Sequence, residues 1–523
     1  MSADFLSIDP ESRLPVYQQV ARHFAAEIAS GRLGAGARLP AIRRLALAVG
    51  LHRDTIALAY EQLAKEGWVE AQVGRGTFVR DPGADTPHPA NATNPPLLSH
   101  TEARVASPTN GASRSGGDAE IELAAQVEQL IALGNTRPRY ATGEDVVALH
   151  KLIPDPRFYP IEDFRDCMNA AISEDGPALF SYASPEGDPR LRSALNERFA
   201  ACGVARSEDE VVLCHGASQG ISLALRLFVS PGEQVAVEVP TYANVLSACA
   251  GLGIGTAPVA VDEEGPDPES LDRTLARPEV KAFYTIPSFH NPLGTSTSLA
   301  RRRVVLEIAE AHGVPIIEDG FEMDLRFRGE ELPPLAALDE SGGVVLLFSF
   351  SKSLFPGIRV GSISARGRAL EGLVALKHAT DLSDALPIQA ALARFLESGA
   401  YDRHLTTIRE MLGRRHRAMD EALAASMPEG TRWTRPDGGY QRWVELPFDV
   451  DTRDLLADAA RAGVLFSPGA LFMPDARPSR ALRLTVSSAE EQEIHRGVAA
   501  LGEVAQRRVA TQPVTGRAAG MHL

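Results

Sequence analysis

Cysteine is scarce: there are four in 523 residues (Cys167, Cys202, Cys214 and Cys249), and no two are spaced as a CxxC pair. That argues against a disulfide-stapled scaffold and against a zinc site built on paired thiolates; reduced thiols in a cytoplasmic protein are the default. Long apolar runs are missing too. No stretch reaches the about 18 consecutive apolar residues that suggest a membrane helix. The first residues, MSADFLSIDPESR, give no basic start followed by an apolar run, so no secretory signal is expected. No GxxxxGK(S/T) occurs, which removes nucleotide hydrolysis on a P-loop. Basic charge is in deficit, with 53 Lys and Arg against 68 Asp and Glu for a net charge of -15, a balance that taken whole does not favour nucleic acid.

What is present is less even than these totals. At ~100–200 residues per domain, 523 residues make three or four structural units, and 44% hydrophobic with 23% charged residues is an ordinary globular composition. Residues 81–119 break the pattern: they hold six prolines, no aromatic residue, and only Leu97, Leu98 and Val105 as large apolar groups. Such a segment buries too little surface to offset its ordering entropy. It reads as a flexible linker with a coil span of roughly 35 Å. Charge separates at the same place: ten basic and eight acidic residues leave +2 on residues 1–80, and hence −17 on the remainder.

In the head, residues 11–80, Val16, Val20, Phe24 and Ile28 form one apolar helical stripe that stops at Ser30-Gly31. Two short helices are expected over roughly Pro40–Ala48 and Arg53–Glu66, packed through Leu45, Val49, Leu51, Ile56, Tyr60 and Leu63 as a helix-turn-helix. Trp68–Val73 and Thr77–Val79 then flank Gly74-Arg75-Gly76 as a two-stranded wing with a basic tip. This layout suits double-stranded DNA. The second helix enters the major groove with His52, Arg53 and Thr55, while Arg43 and Arg75 reach backbone or groove edges.

Beyond the linker, helical patterns alternate with short apolar runs (EVVLC, QVAVEVP, AFYTIP, VPIIED, VVLLFSFS), the pattern of a mostly parallel sheet covered by helices. Ligands of such sheets sit beyond the carboxyl ends of the strands, so the residues after each run are the ones to inspect. Lys352 follows VVLLFSFS, where a strand-end amine suits a Schiff base with an aldehyde. Ser349, Ser351 and Arg359 nearby suit a phosphate. Asp319 ends VPIIED, where a carboxylate suits a pyridinium proton. Asn291, in the Pro-rich turn after AFYTIP, suits a donor to a ring oxygen. His215-Gly216-Ala217-Ser218-Gln219 precedes the helical run Ile221–Phe228, a nest of backbone donors for phosphate. Gly251-Leu252-Gly253-Ile254-Gly255-Thr256 looks like a dinucleotide loop but lacks the last glycine and opens no helix, so it is discounted. Each signal alone is common on ordinary surfaces.

Together they carry two resemblances. LPVYQQVARHFAAEIASGRLGAGARLPAIRRLALAVGLHRDTIALAYEQLAKEGWVEAQVGRGTFV resembles the winged helix-turn-helix of GntR-type regulators, departing at Ala41-Ile42 and at Asp54. Residues 140–505 resemble fold-type I, class I aminotransferases. That resemblance implies pyridoxal 5'-phosphate on Lys352, with Asp319 on the ring nitrogen, Asn291 on O3′ and Tyr242 stacked on the ring. It implies a phosphate cup of Ala217, Ser218, Ser349, Ser351 and Arg359, with Tyr182 lent by the other subunit, and Arg483 as a clamp for a substrate carboxylate.

The combination is similar to the MocR family of regulators. The implied fold is multidomain: an α+β winged helix-turn-helix (11–80), a flexible linker (81–119), and an α/β aminotransferase-like domain (120–510) with a smaller C-terminal α/β subdomain over approximately 390–505. The implied function is a cytoplasmic, DNA-binding homodimer, arranged head to tail with swapped domains, that senses a small amino compound. The alternative is a working aminotransferase with an accessory DNA-binding head. Phe321 stands where the family usually carries tyrosine, and the lost hydroxyl, worth ~0.5–1.5 kcal/mol as a hydrogen bond, leans toward sensing.

Overall fold

Apolar stripes on two helices build the core of the head. The computed structural model describes residues 16–80 except 31, 35, 41, 43, 44, 47–50, 52, 66 and 73–75, and residues 122–511 except 137, 139–144, 205 and 206. The chain divides into Met1–Gly116 and Gly117–Leu523; the expected linker, 81–119, lies outside the described residues. In the first unit, α1 (Val16–Ala29) packs on α2 (Arg53–Lys65). Val20, Ala21 and Phe24 meet Ile56, Ala59, Tyr60 and Leu63 in one buried cluster, and each large side chain so buried contributes ~1.5–3 kcal/mol. The Phe24 and Tyr60 rings meet edge to face at 5.8 Å, and the Tyr60 hydroxyl donates to the Pro40 carbonyl at 2.8 Å. The wing, β1 (Val69–Gln72) and β2 (Gly76–Val79), pairs antiparallel from Val69↔Val79 to Gln72↔Gly76.

In the second unit α3 (Ala125–Thr136) comes first. An eight-stranded sheet follows, with strands β3 (Val211–Cys214), β4 (Gln234–Val239), β5 (Gly255–Asp262), β6 (Gly265–Pro266), β7 (Val280–Thr285), β8 (Ile316–Asp319), β9 (Val344–Ser349) and β10 (Gly361–Ser364). Their order is β3-β10-β9-β8-β7-β4-β5-β6. β5, β4, β7, β8 and β9 are parallel neighbours, and β10 runs antiparallel to both β9 and β3. β3, β8 and β9 are buried at every position, as expected of strands covered on both faces. Helix α4 (Ala217–Phe228) follows β3, and α5 (Ala243–Leu252) follows β4. The helix after β3 thus starts four residues earlier than the sequence run suggested, which makes Ala217 and Ser218 its first two residues.

Beyond the large sheet the unit includes α6 (Gly367–Asp381), α7 (Leu386–Glu397) and the long α8 (Ala400–Ser426), then a sheet of β11 (Arg432–Trp433), β12 (Gln441–Glu445), β13 (Ser467–Pro468) and β14 (Ala481–Thr485). That sheet is antiparallel in the order β11-β12-β14-β13, and α9 (Glu491–Thr511) packs along α8. The GLGIGT segment closes α5 at Gly253 in the left-handed conformation and enters β5, so it is a helix-to-strand turn. Among the described residues no helix is long and apolar enough to cross a membrane.

Candidate functional site

Parallel register brings the chemistry to one edge of the large sheet. Asp319 pairs with Leu347 and Glu318 with Thr285, so β7, β8 and β9 end side by side. Ser349 faces Gly361, which faces Cys214 on its other side. Asp319 is the last residue of β8, and the segments after β4, β7, β9 and β3 carry Tyr242, Asn291, Lys352 and the His215-Gly216 turn into α4. Close approach is required here: a Cβ on Gly361 would lie 2.6 Å from the Phe348 carbonyl and 2.9 Å from Gly216 Cα. Gly216 itself has φ +75°, and a Cβ there would meet the Arg359 guanidinium at 3.3 Å. Only glycine lets the turn sit this tightly against the arginine.

The phosphate-type donors converge on that turn. Ala217 and Ser218 open α4, Arg359 Nη2 donates to the His215 carbonyl at 2.6 Å, and the Ser351 N–H donates to Ser349 Oγ at 3.2 Å. Asp319, at 1% exposure, accepts from the Tyr284 hydroxyl at 2.6 Å and from the Phe321 N–H at 3.2 Å. Burial pushes its carboxyl up to about 6 in spite of those hydrogen bonds, and among the described residues no basic side chain pairs with it. The Tyr242 and Phe321 rings face each other in parallel, 6.4 Å between centroids, and Asn244 Nδ2 donates to the Tyr242 hydroxyl at 2.7 Å.

Lys352 Nζ donates to the Leu152 carbonyl at 2.5 Å. Burial lowers the pKa of its ammonium, with Arg483 and Arg359 adding repulsion against the pull of Glu322. Arg483, at 7% exposure, donates to Asn291 Oδ1 at 3.0 Å, to the His150 carbonyl at 2.9 Å and to Ser467 Oγ at 3.2 Å, and its guanidinium lies 5.0 Å over the Phe472 ring. Lys352, Tyr242 and Arg483 line one cavity of about 620 Å³; Ser218 lines an adjacent one of about 300 Å³.

Of the residues singled out from sequence in the body, all but one therefore lie along this edge or its cavity; the exception is Tyr182, 84% exposed, on the surface of the chain. In the head, Arg43, His52 and Arg75 lie outside the described residues; Arg53 opens α2 with its side chain outside them, and Thr55 is half-buried on the same helix. Tyr284, Leu152, Phe472 and Glu322 also belong to the site, with no motif to mark them. Glu322 is 1% exposed, and its carboxyl accepts from the Tyr440 N–H at 3.3 Å and Gln441 Nε2 at 3.4 Å; burial raises its pKa against the pull of Lys352. Its only signal was a third acidic residue in the run Glu318-Asp319-Gly320-Phe321-Glu322. Replacing Glu322 by Gln removes the carboxylate that favours the charged amine, so the pH midpoint for uptake of an aldehyde by Lys352 is expected to fall, read from uptake rates of apo protein across pH.

The donor set fits pyridoxal phosphate. Two buried groups at the site, Asn291 Nδ2 and Ser351 Oγ, have no hydrogen-bond partner among the described residues, and buried polar atoms of this kind call for a ligand or water. A pyridine ring oxygen and a phosphate would supply acceptors for them, and a protonated ring nitrogen would supply the missing cation at Asp319. The fold and this site define a fold-type I, pyridoxal-phosphate-type domain, carried behind a winged helix-turn-helix.

Comparison with known proteins agrees at both ends. The family "Aminotransferase class I and II" matches residues 157–501, and "Bacterial regulatory proteins, gntR family" matches residues 16–79. The chain belongs to the class I and II aminotransferase family and carries a GntR-family DNA-binding head, the composite of the MocR-type regulators. It is 31% identical over 389 residues to aromatic-amino-acid aminotransferase 1 of Thermococcus litoralis, covering 73% of this chain and 91% of that one. It is 27% identical over 464 residues to the probable rhizopine catabolism regulatory protein MocR of Rhizobium meliloti, covering 88% of each. Among solved structures, the alpha-aminoadipate aminotransferase LysN of Thermus thermophilus, complexed with N-(5'-phosphopyridoxyl)-L-leucine, is 29% identical with a TM-score of 0.66, over 74% of this chain and 96% of that one.

Proposed function

We propose that the protein is a transcription regulator whose aminotransferase-like body binds pyridoxal phosphate and reads a small amino compound. The observation that carries this is a half-buried amine, Lys352, sharing one cavity with a buried guanidinium, Arg483, in a chain whose head folds as a winged helix-turn-helix. When bound, the cofactor supplies an electrophilic carbon and an electron sink. Lys352, its ammonium weakened by burial, is the group that takes the aldehyde. Asp319 holds a proton at the ring nitrogen, Asn291 donates to O3′, and Tyr242 covers one face of the ring. Ala217, Ser218, Ser349, Ser351 and Arg359 bind the phosphate. Arg483 orients the carboxylate of the ligand, its fork matched to two oxygens.

The exposed Tyr182 fits a role on the phosphate of a second subunit, in a homodimer that pairs head to tail, with each head over the other body. Arg43, His52, Arg53, Thr55 and Arg75 of the head contact the operator. Phe321 gives no hydroxyl to share a proton with O3′, which favours binding over turnover.

A second reading, a working aminotransferase with a DNA-binding head, draws support from the full set Lys352, Asp319, Asn291, Arg359 and Arg483. Steady-state transamination beside operator binding separates the two: turnover of roughly 1–1000 per second without specific DNA binding would sink the regulator. Lys352→Ala is expected to lose the absorbance near the visible edge that the lysine-linked cofactor gives, while the purified full-length variant keeps its head folded and binds the same DNA.

A further inference from the structure

Among the described lining residues of the 620 Å³ cavity, charge is carried by two side chains alone. Lys352 and Arg483 are its two cations, and among its described lining residues there is no Asp, Glu or His and no further Lys or Arg. Away from these two the wall is apolar: Leu133 from α3, Leu246 from α5, and Leu471 and Met473 from the segment after β13. The polar remainder, such as Gln129, Asn244 and Thr256, is neutral. Glu322, the nearby buried carboxyl, is engaged by Tyr440 and Gln441 and does not line the cavity.

We infer that the ligand read by this cavity is an α-amino acid with one carboxylate and an uncharged, mainly apolar side chain lying along the α3–α5 wall. The inference rests on the sensing reading above. Arg483 takes the single carboxylate. A second carboxylate on the side chain would leave water for a wall whose described residues offer no cation to receive it. A side-chain ammonium would find no carboxylate among the wall's described residues, and it would sit in the field of Lys352 and Arg483. Burying an unpaired charge is disfavoured in either case, whereas an apolar side chain gains the wall's contacts.

The test is equilibrium titration of the full-length, cofactor-loaded protein with L-leucine, L-methionine, L-phenylalanine, L-glutamate, L-2-aminoadipate and L-lysine. Cofactor absorbance and the ligand-induced shift in melting temperature are the two readouts. At least one apolar amino acid is expected to half-saturate at a concentration about tenfold or more below those for glutamate, 2-aminoadipate and lysine, the order of discrimination an apolar pocket supplies. Leu246→Arg and Leu133→Arg, both at half-buried positions, place a cation on the wall and are expected to narrow the gap to glutamate. A charged side chain that saturates first, an equal response to all six, or two arginine variants that leave the gap unchanged would each overturn the inference while the sensing reading stands. A cofactor-loaded protein whose spectrum and melting temperature respond to no amino acid would overturn the sensing reading itself, and this inference with it.

Discussion

Lys377→Met is expected to remove ~3–5 kcal/mol of stability, the cost of stranding buried charges by deleting one partner, and to loosen the phosphate turn as it does so. The Lys377 side chain is fully buried, and its ammonium lies 2.9 and 3.0 Å from the Asp381 oxygens and 2.8 Å from Asp384. His215 Nε2 joins the group at 3.0 Å from Asp384 and 3.7 Å from Asp381. Gln219 donates to Asp381 at 2.6 Å, and Gln389 to Asp384 at 3.1 Å. His215, Asp381 and Asp384 stand close enough together to hold a metal ion, but Lys377 already sits between the two carboxylates as their cation. Burial raises the Asp381 pKa, and hydrogen bonds from Gln219 and Lys377 outweigh it, holding the group below the usual carboxylate range.

Methionine would keep the volume and leave two carboxylates facing each other. The loss would reach the site because the His215 N–H donates to Gln219 Oε1 at 2.8 Å and its carbonyl receives Arg359. Denaturant unfolding at pH 7 together with cofactor retention on dialysis measures both effects. Adding Asp381→Asn and Asp384→Asn to the same chain should recover much of the stability, since the stranded charge is then gone. A loss below ~1 kcal/mol, the scale of a surface pair, would show that solvent already screens the network.

Asp319→Asn is expected to move stability the other way. The carboxyl is raised by burial to about 6 in the folded chain, against ~3.9 for a free aspartate. The folded state therefore holds the proton more tightly, and stability falls as pH rises through the window from about 4 to 6, with the full penalty present above it. A shift of about two units is worth ~3 kcal/mol. Cofactor-free Asp319→Asn should then melt higher than the parent at pH 7.5 and close to it at pH 4, because the amide never ionises.

The same change removes the anion opposite the ring nitrogen of the cofactor, and truncating one side of a buried charge pair costs ~2–5 kcal/mol of binding. The variant should therefore be more stable empty and hold pyridoxal phosphate far more weakly. Melting curves of apo protein from pH 4 to 8, beside equilibrium cofactor binding, give both signs. An apo variant less stable than the parent at pH 7.5 would mean that the ionised carboxylate is stabilised in the empty protein.

Much of this was open to reading because strand endings are local events. The runs VVLLFSFS and VPIIED declare buried strands by composition, and a parallel sheet collects whatever follows them, so Lys352 and Asp319 could be named before any geometry. The phosphate turn was legible for a similar reason, a glycine next to small hydroxyl and amide residues ahead of an apolar helix. Glu322 and Tyr284 were not. Each is an ordinary residue inside a strand or a turn, and its importance comes from what burial does to a charge or hydroxyl placed against Lys352 or Asp319. Lys377 was equally silent, since a lysine on an amphipathic helix usually faces water.

The basic head, the proline-rich segment, the acidic body and the groups waiting at the strand ends can all be read from the chain one stretch at a time. All of these follow from composition and periodicity over short stretches. It takes the fold to bring Arg483, from the far end of the chain, into one cavity with Lys352, to leave no Asp, Glu, His or further Lys or Arg among that cavity's described lining residues, and to close His215, Asp381, Asp384 and Lys377 on one another behind the phosphate turn. Those facts depend on burial and on distances between segments remote in sequence, and desolvation, which sets the energy of every charge among them, exists only once the chain has folded around it.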